Sequence, residues 1–312
     1  MNKLLVVGTV AYDAIETPYG KTDKILGGAA TYIGLSASNF ELDTAIVSVV
    51  GADFEQEHIS LLESKKINTQ AIEVVQDGKT FFWRGKYSQN MNHRDTLETQ
   101  LNVLETFSPK VPQNYTDSQV VLLGNLHPLV QLSVLEQLDG SQKLVILDTM
   151  NFWMDIALED LKRVIAKVDV ICINDEEARQ LSGQYSLALA AKEIEKMGPS
   201  TVIIKKGEHG ALLFKDGNVF SAPAFLLEEV FDPTGAGDTF LGGFGAYLAD
   251  KNSYTFEDMK TALIYGSNLA SFCVERFGTE RMATLEPQEI QERLQEFKAL
   301  TTFSLHLPQT IS

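Results

Sequence analysis

The order of apolar runs predicts an α/β protein, with a mostly parallel central sheet covered by helices on both faces and a small separate β-sheet. Three observations predict it. Six short runs are almost wholly apolar, as strands buried on both faces are. Amphipathic stretches of helical period separate them. One region, Ile72–Tyr87, alternates instead with the period of a strand.

In chain order, the buried strands are expected over Leu4–Val7, Ala45–Val49, Val120–Leu123, Leu144–Leu147, Val168–Ile173 and Thr201–Lys205. The helices between them are expected over Ala30–Asn39, Phe54–Lys65, Leu129–Leu138, Leu158–Lys167 and Leu187–Met197. Ligands of such folds bind beyond the carboxyl ends of the strands. Two further strands, Ala211–Phe214 and Val219–Ala222, are joined through Asp216-Gly217, a strong hairpin signal. Helices then dominate: Asp238–Leu248, Phe256–Glu275 and Pro287–Ala299, the last with proline at its first position and Ile290, Leu294 and Phe297 on one face.

Val10–Ile25 reads as extended, and in Ile72–Tyr87 the residues Phe81, Trp83 and Tyr87 share one face while Thr80, Phe82, Arg84 and Lys86 share the other. A sheet with aromatics on both faces covers something. These segments, near 10–25 and 72–87, are expected to form a lid over a ligand, with an edge hairpin of the main sheet as the plainer alternative. The organisation expected is one domain over residues 1–300 and a polar, loosely docked tail over 301–312.

A formal charge of −16 in 312 residues disfavours nucleic acid or an anionic membrane as partner, because phosphate backbones need Lys and Arg. It does not exclude a nucleotide, which backbone dipoles can hold. The two cysteines, Cys172 and Cys273, lie in apolar contexts and read as free thiols of a reducing compartment. The first apolar run is too short for a signal peptide and none reaches membrane-spanning length, so a cytoplasmic location is expected. The five histidines show no metal-ligand spacing, and no P-loop or Gly-x-Gly-x-x-Gly element occurs.

The most informative segment is Asp232-Pro233-Thr234-Gly235-Ala236-Gly237-Asp238, which opens a helix. Small residues at a helix N-terminus let backbone N–H groups approach an anion. An acid in that turn repels phosphate unless it acts, for instance by taking a proton from an attacking hydroxyl. The combination points to phosphoryl transfer to an alcohol. The plainer alternative is a glycine-rich turn with Asp238 as a favourable charge on the helix dipole. Gly242, Gly243 and Gly245 follow within the helix, each costing about 1 kcal/mol relative to alanine, so close packing or a close ligand is implied.

Weaker signals accompany it. Gly27-Gly28 opens another helix and presents amides to a polar ligand, although glycine pairs are common turn formers. Asp13 follows the first strand, either as a carboxylate for vicinal hydroxyls or as a solvated loop acid. Asn174 and Glu177 have capping-box spacing, and the same pair sits where phosphates and a hydrated magnesium ion would lie. Lys205-Lys206-Gly207 ends a strand at a tight turn, facing phosphate or solvent.

Taken in order, these motifs resemble the ribokinase-like (PfkB) family of carbohydrate and nucleoside kinases over most of the chain. Asp232-Pro233-Thr234-Gly235-Ala236-Gly237-Asp238-Thr239-Phe240 is similar to the family's C-terminal signature, and Asp13, Gly27-Gly28, Asn174-x-x-Glu177 and Gly207-x-x-Gly210 follow its order. The resemblance implies a ribokinase-like fold and ATP with Mg2+. It implies Asp238 as general base and the amides of Gly235, Ala236 and Gly237 as anion hole. It implies Asp13, Gly27 and Gly28 as acceptor contacts. Asn174 and Glu177 would organise phosphates and magnesium through water, with no direct protein ligand. Lys205 and Gly207 would border the nucleotide, and Ser267 the adenine. It also allows a monovalent cation near Asp232 and Thr234, and a homodimer through the lid.

Two departures bear on the acceptor. Tyr32 stands where the family usually has an acceptor-binding Asn. Asp148-Thr149-Met150-Asn151-Phe152 stands where it often has Asp-Pro-Asn-x-Arg. Neither touches Asp238, so the expected activity is ATP-dependent phosphorylation of a sugar or sugar-like hydroxyl. Nucleoside and polyol (inositol-like) acceptors are the alternatives, and a non-catalytic sensor is a competing class. Tyr32, Phe82, Trp83 and Trp153 each suit stacking on a base, covering a sugar ring or filling the core.

Overall fold

The computed structural model describes residues 1–302 and Ser304. Its strands are β1 (Asn2–Val7), β2 (Ala11–Thr17), β3 (Gly20–Lys21), β4 (Ile25–Gly27), β5 (Leu42–Gly51), β6 (Ile67–Val75), β7 (Phe82–Tyr87), β8 (Arg94–Gln100), β9 (Val120–Leu123), β10 (Leu144–Leu147), β11 (Val170–Asn174), β12 (Thr201–Lys205), β13 (Ala211–Lys215) and β14 (Asn218–Ala222). Its α-helices are α1 (Ala29–Ala37), α2 (Gln56–Ser64), α3 (Pro128–Gln137), α4 (Asn151–Ile156), α5 (Leu158–Ile165), α6 (Asp175–Ser182), α7 (Leu187–Glu195), α8 (Ala236–Lys251), α9 (Phe256–Cys273), α10 (Glu280–Thr284) and α11 (Pro287–Thr301).

Nine strands form the large sheet in the order β14-β13-β12-β11-β10-β9-β1-β5-β6. From β12 to β6 every pairing is parallel; β13 and β14 add an antiparallel hairpin at one edge. Alternate residues feed two cores. Leu4 and Val6 of β1 pack into the core that includes Phe240, Phe244 and Leu269, and Leu5 and Val7 into the one that includes Leu132, Leu161 and Ile194. Burial on both faces explains why these strands read as continuous apolar runs. In the hairpin, Asp216 and Gly217 both have positive φ, 51° and 76°, as a tight two-residue turn of this hand requires.

The three interior glycines of α8 mark its closest contacts. A Cβ on Gly242 would meet the Ile33 carbonyl oxygen of α1 at 2.4 Å. One on Gly243 would meet Leu269 of α9 at 2.8 Å, and one on Gly245 would meet Leu122 of β9 at 2.5 Å. Close packing therefore accounts for all three.

The small sheet has the order β3-β2-β7-β8, with β4 also pairing β2. It departs from expectation at two points. Residues 72–75 belong to the large sheet, because β6 pairs in parallel with β5 along its edge. A half-exposed edge strand alternates just as a separate sheet does, so the pattern alone did not distinguish them. Strand β8 has polar residues on both faces and lacks the apolar alternation that marks a strand. Of the tail expected over 301–312, Thr301 closes α11; beyond Thr302 the tail, Ser304 aside, lies outside the described residues.

Candidate active site

Helix α8 begins without a side-chain cap. Gly235 is its N-cap at φ 75°, and a Cβ there would strike the Tyr32 ring at 2.4 Å. The first cap bond runs from Thr239 N–H to the Gly235 carbonyl, at 2.8 Å. The Ala236 N–H is engaged by the Pro233 carbonyl at 3.2 Å, whereas those of Gly235, Gly237 and Asp238 find no acceptor among the described residues. Three orphan donors at the positive end of a 16-residue helix make a site for an anion. Asp238 lies in that first turn, with its Oδ1 buried and unpartnered. Burial first, and the charge of Asp148 second, push its carboxyl up to about 7; Lys205 and Arg94 oppose them.

Asp232 holds this turn in place. Its Oδ1 accepts from the Thr234 N–H at 2.9 Å, and its Oδ2 from the Gly278 N–H at 2.8 Å. Both carboxylate oxygens are thus engaged at the position where the resemblance allows a monovalent cation.

Asp13 sits on β2, in the small sheet, and is 5 % exposed. A Cβ on Gly27 would lie 2.0 Å from its Oδ2, so the glycine makes room for this carboxylate. Burial raises Asp13 to about 7, helped by Asp232 and Asp238 and opposed by the Gly28 amide and Arg94. The next amides, of Ala29 and Ala30, donate to Thr9 Oγ1 and the Thr9 carbonyl, each at 2.9 Å, and are not free for a ligand. Tyr32 is 1 % exposed beneath Gly235, its hydroxyl buried without a partner. Its ring lies against the turn at Gly235.

Asn174 and Glu177 form the capping box of α6. Asn174 Oδ1 accepts from the Glu177 N–H, and Glu177 Oε2 from the Asn174 N–H, both at 2.8 Å. Glu177 is nonetheless buried, and burial first, with Asp148, raises it to about 7. Lys205 is the register partner of Asn174 on β12. Its Nζ donates to Asp148 Oδ1 at 3.2 Å and lies 3.1 Å from where a Gly237 Cβ would be. Burial alone would lower this lysine; the acids around it, Asp148 foremost, raise it instead. The arginine that the resemblance would place at residue 152 is Phe152, 47 % exposed, and Lys205 supplies the positive charge beside Asp148.

The small sheet adds residues that sequence reasoning missed. Tyr87 Oη bonds Thr234 Oγ1 at 3.1 Å, and burial pushes the phenol up to about 12. Arg94 is Tyr87's register partner on β8, and its charge acts on Asp13, Glu177 and Asp238 alike. Asn92 donates to Glu208 Oε1 at 2.9 Å, joining the β7–β8 loop to the turn that contains Gly207. Arg94 was concealed because β8 itself was not foreseen. Once Tyr87 faces Thr234, the hairpin register requires Arg94 to face the same way. Ser267 is half-buried on α9, and no hydrogen bond among the described residues ties it to the others.

The grouping of three potential metal ligands among the described residues is Glu55, Glu57 and His58 around the start of α2; none of the acids above belongs to it. No helix among the described residues is long and apolar enough to cross a membrane.

The two sheets and their helices form a ribokinase-like fold, and the chain is a small-molecule kinase. The chain belongs to the pfkB family of carbohydrate kinases, whose sequence model matches residues 1–285. It is 29 % identical over 251 residues to the cytidine kinase of Thermococcus kodakarensis, covering 78 % of this chain and 87 % of that one. It is 28 % identical over 307 residues to the nucleoside kinase of Methanothermobacter thermautotrophicus, covering 89 % and 91 %. Among solved structures, a ribokinase II candidate from E. coli in complex with ATP and magnesium superposes with a TM-score of 0.78 at 19 % identity, over 95 % of this chain and all of that one (100 %).

Proposed function

We propose that this kinase phosphorylates a hydroxyl of a nucleoside, with Asp238 as general base and the first turn of α8 as the anion hole. The observation that carries the mechanism is the joint position of Asp238 and the orphan amides at the start of one helix. Asp238 takes the proton of the acceptor hydroxyl. The oxygen then forms a bond to the γ-phosphorus as the bond to the bridging oxygen breaks, and ADP departs. A base whose carboxyl is raised to about 7 is ionised in a substantial fraction of molecules near neutral pH and accepts a proton readily. The amides of Gly235, Gly237 and Asp238 meet charge on the transferred group, and Lys205 and Arg94 add positive charge beside it. Asp13 holds acceptor hydroxyls.

Glu177 fits a hydrated magnesium ion: its cap bond uses one carboxylate oxygen, and its charge is held close to that of Asp148. Magnesium would neutralise the ATP phosphates there, bound through water and those phosphates. The names of the two curated relatives described above favour a nucleoside over a free sugar. A reducing compartment suits the two buried free thiols. A dimer through the outer face of the small sheet gains little support, because the ion pairs Arg84–Glu98 and Lys86–Glu16 make that face charged.

The test is magnesium-dependent ADP release from ATP across nucleosides, sugars and polyols, with Asp238→Asn in parallel. Nucleoside-dependent release that the substitution abolishes is the expected result. Release with sugars alone would overturn the acceptor, and full turnover in the variant would overturn the base.

A further inference from the structure

We infer that Trp83 is the platform on which the acceptor's base rests, and that its indole selects nucleosides over free sugars; the inference rests on the nucleoside reading above. Four aromatics were candidates for such a role, and the structure separates them. Tyr32 is enclosed beneath Gly235. Phe82 lies on the other face of the small sheet, with Arg84 5.7 Å from its centroid. Trp153 is committed elsewhere: its Nε1 donates to Asn125 Oδ1 at 2.7 Å, and its ring packs on His127 and Phe152.

Trp83 faces the site. It is the register partner of Asp13 on the adjacent parallel strand, so the two side chains leave the sheet on one face. Tyr87, four residues on and of the same parity, reaches Thr234 on that face. Neighbouring strands lie about 4.8 Å apart. The indole therefore begins one strand away from the carboxylate proposed to hold acceptor hydroxyls, as a base sits beside the hydroxyls of its ribose.

The local sequence fixes the ring's tilt. A Cβ on Gly85 would lie 2.0 Å from the indole Cη2, so the indole lies across the space that this glycine leaves open. Its Nε1 donates to Thr96 Oγ1 at 3.3 Å, and the Arg94 guanidinium lies 5.1 Å from the ring centroid. The indole remains half-buried, with aromatic surface to offer. A planar heteroaromatic base covers such a surface by stacking, on the part of the indole that the overlying Arg94 guanidinium leaves open, with Thr96 at the Nε1 edge.

The test compares Trp83→Ala and Trp83→Phe on nucleosides and on free sugars, with kcat and KM separated. Stacking predicts a rise of about 5- to 150-fold in nucleoside KM for Trp83→Ala, recovery of most of it in Trp83→Phe, and less than about a twofold change with any free sugar used. A second measurement needs no turnover. Trp83 and Trp153 are the two tryptophans of the chain, so in Trp153→Phe the fluorescence reports on Trp83 alone. Nucleosides should quench it and free sugars should not. Unaltered nucleoside KM in Trp83→Ala, or quenching that fails with every nucleoside phosphorylated, overturns the role of Trp83 while leaving the nucleoside reading intact. A wild-type enzyme that phosphorylates sugars and no nucleoside overturns the reading itself. Equal losses on both acceptor classes, falling on kcat, would reduce Trp83 to a structural part of the lid.

Discussion

Helices α6 and α8 both begin beside Lys205, and they begin in opposite ways. The start of α6 is closed upon itself, with the Asn174 and Glu177 side chains each bonding the other's backbone N–H. The start of α8 is left open: glycine is its cap, and the amides of Gly235, Gly237 and Asp238 have no acceptor among the described residues. The same spare donors that are satisfied internally in one helix are left without an acceptor in the other. A glycine-started helix whose first amides lack acceptors therefore says more about function than a capped one, even where the capped one carries more charge.

The largest expected effect lies at the open end. Asp238→Asn should lower kcat about 10²–10⁴-fold without lowering the melting temperature, because the base is lost and the packing is kept. Wild-type turnover in that variant would make Asp238 a helix-start charge like those of α6. Gly235→Ala should come next, with kcat reduced about 10²-fold or more, since the new Cβ strikes Tyr32 and displaces the donors. Its control is at the far end of α6. Gly183 also has positive φ, 67°, but open space around it, so Gly183→Ala should cost about 1–2 kcal/mol of stability and leave kcat unchanged. Matching kinetics in the two variants would erase the distinction between the helices.

Acidity separates the two ends less steeply. With Asp238 raised to about 7, kcat/KM should fall about tenfold per unit below that pH as the base takes a proton. Stability should move the opposite way. Asp13, Glu177 and Asp238 each stand at about 7 in the folded chain, against about 4 unfolded. The folded state binds more protons between those values, so their contribution is complete below about pH 4 and is lost as pH rises through 7. Melting of the ligand-free protein at pH 5.5 and pH 8 should show the higher midpoint at the lower pH. A flat profile would mean that these acids are better solvated than their burial implies.

At the closed end the effects are smaller. Glu177→Gln should raise the magnesium concentration for half-maximal activity about tenfold, as loss of an outer-shell oxygen does. Asn174→Ala should cost about 1 kcal/mol in denaturant melts and leave kcat near wild type. A loss of kcat in Asn174→Ala at saturating magnesium would show that the cap is also a ligand.

Much of this arrangement was legible in the sequence, for reasons that can be named. The parallel strands announced themselves because burial on both faces leaves only apolar residues, and the Asp232–Asp238 segment stood out because its small residues open a helix beside an acid. Asn174 was read both as cap and as magnesium organiser, and the cap geometry is present. What stayed hidden depends on neighbours. Strand β6 alternates like a separate sheet, and only its pairing with β5 assigns it to the large one. Arg94 lies in a strand without apolar pattern, and only the hairpin register turns it toward Asp238's side. Tyr32 stands in an acceptor-binding position by motif order, and only the fold shows that its ring also lies against Gly235.

Helix α8 touches α1, α9 and β9 at Gly242, Gly243 and Gly245 with nothing but hydrogen between backbone and neighbour. Its position has no slack in three directions, and the turn proposed to bind the phosphoryl group is simply its first residues. A genetic screen for lost activity should therefore collect alleles at these interior glycines as readily as at Asp238. Their products should retain acceptor affinity, lose turnover, and recover part of it at reduced temperature, the pattern of a conditional mutant whose lesion sits well away from the chemistry.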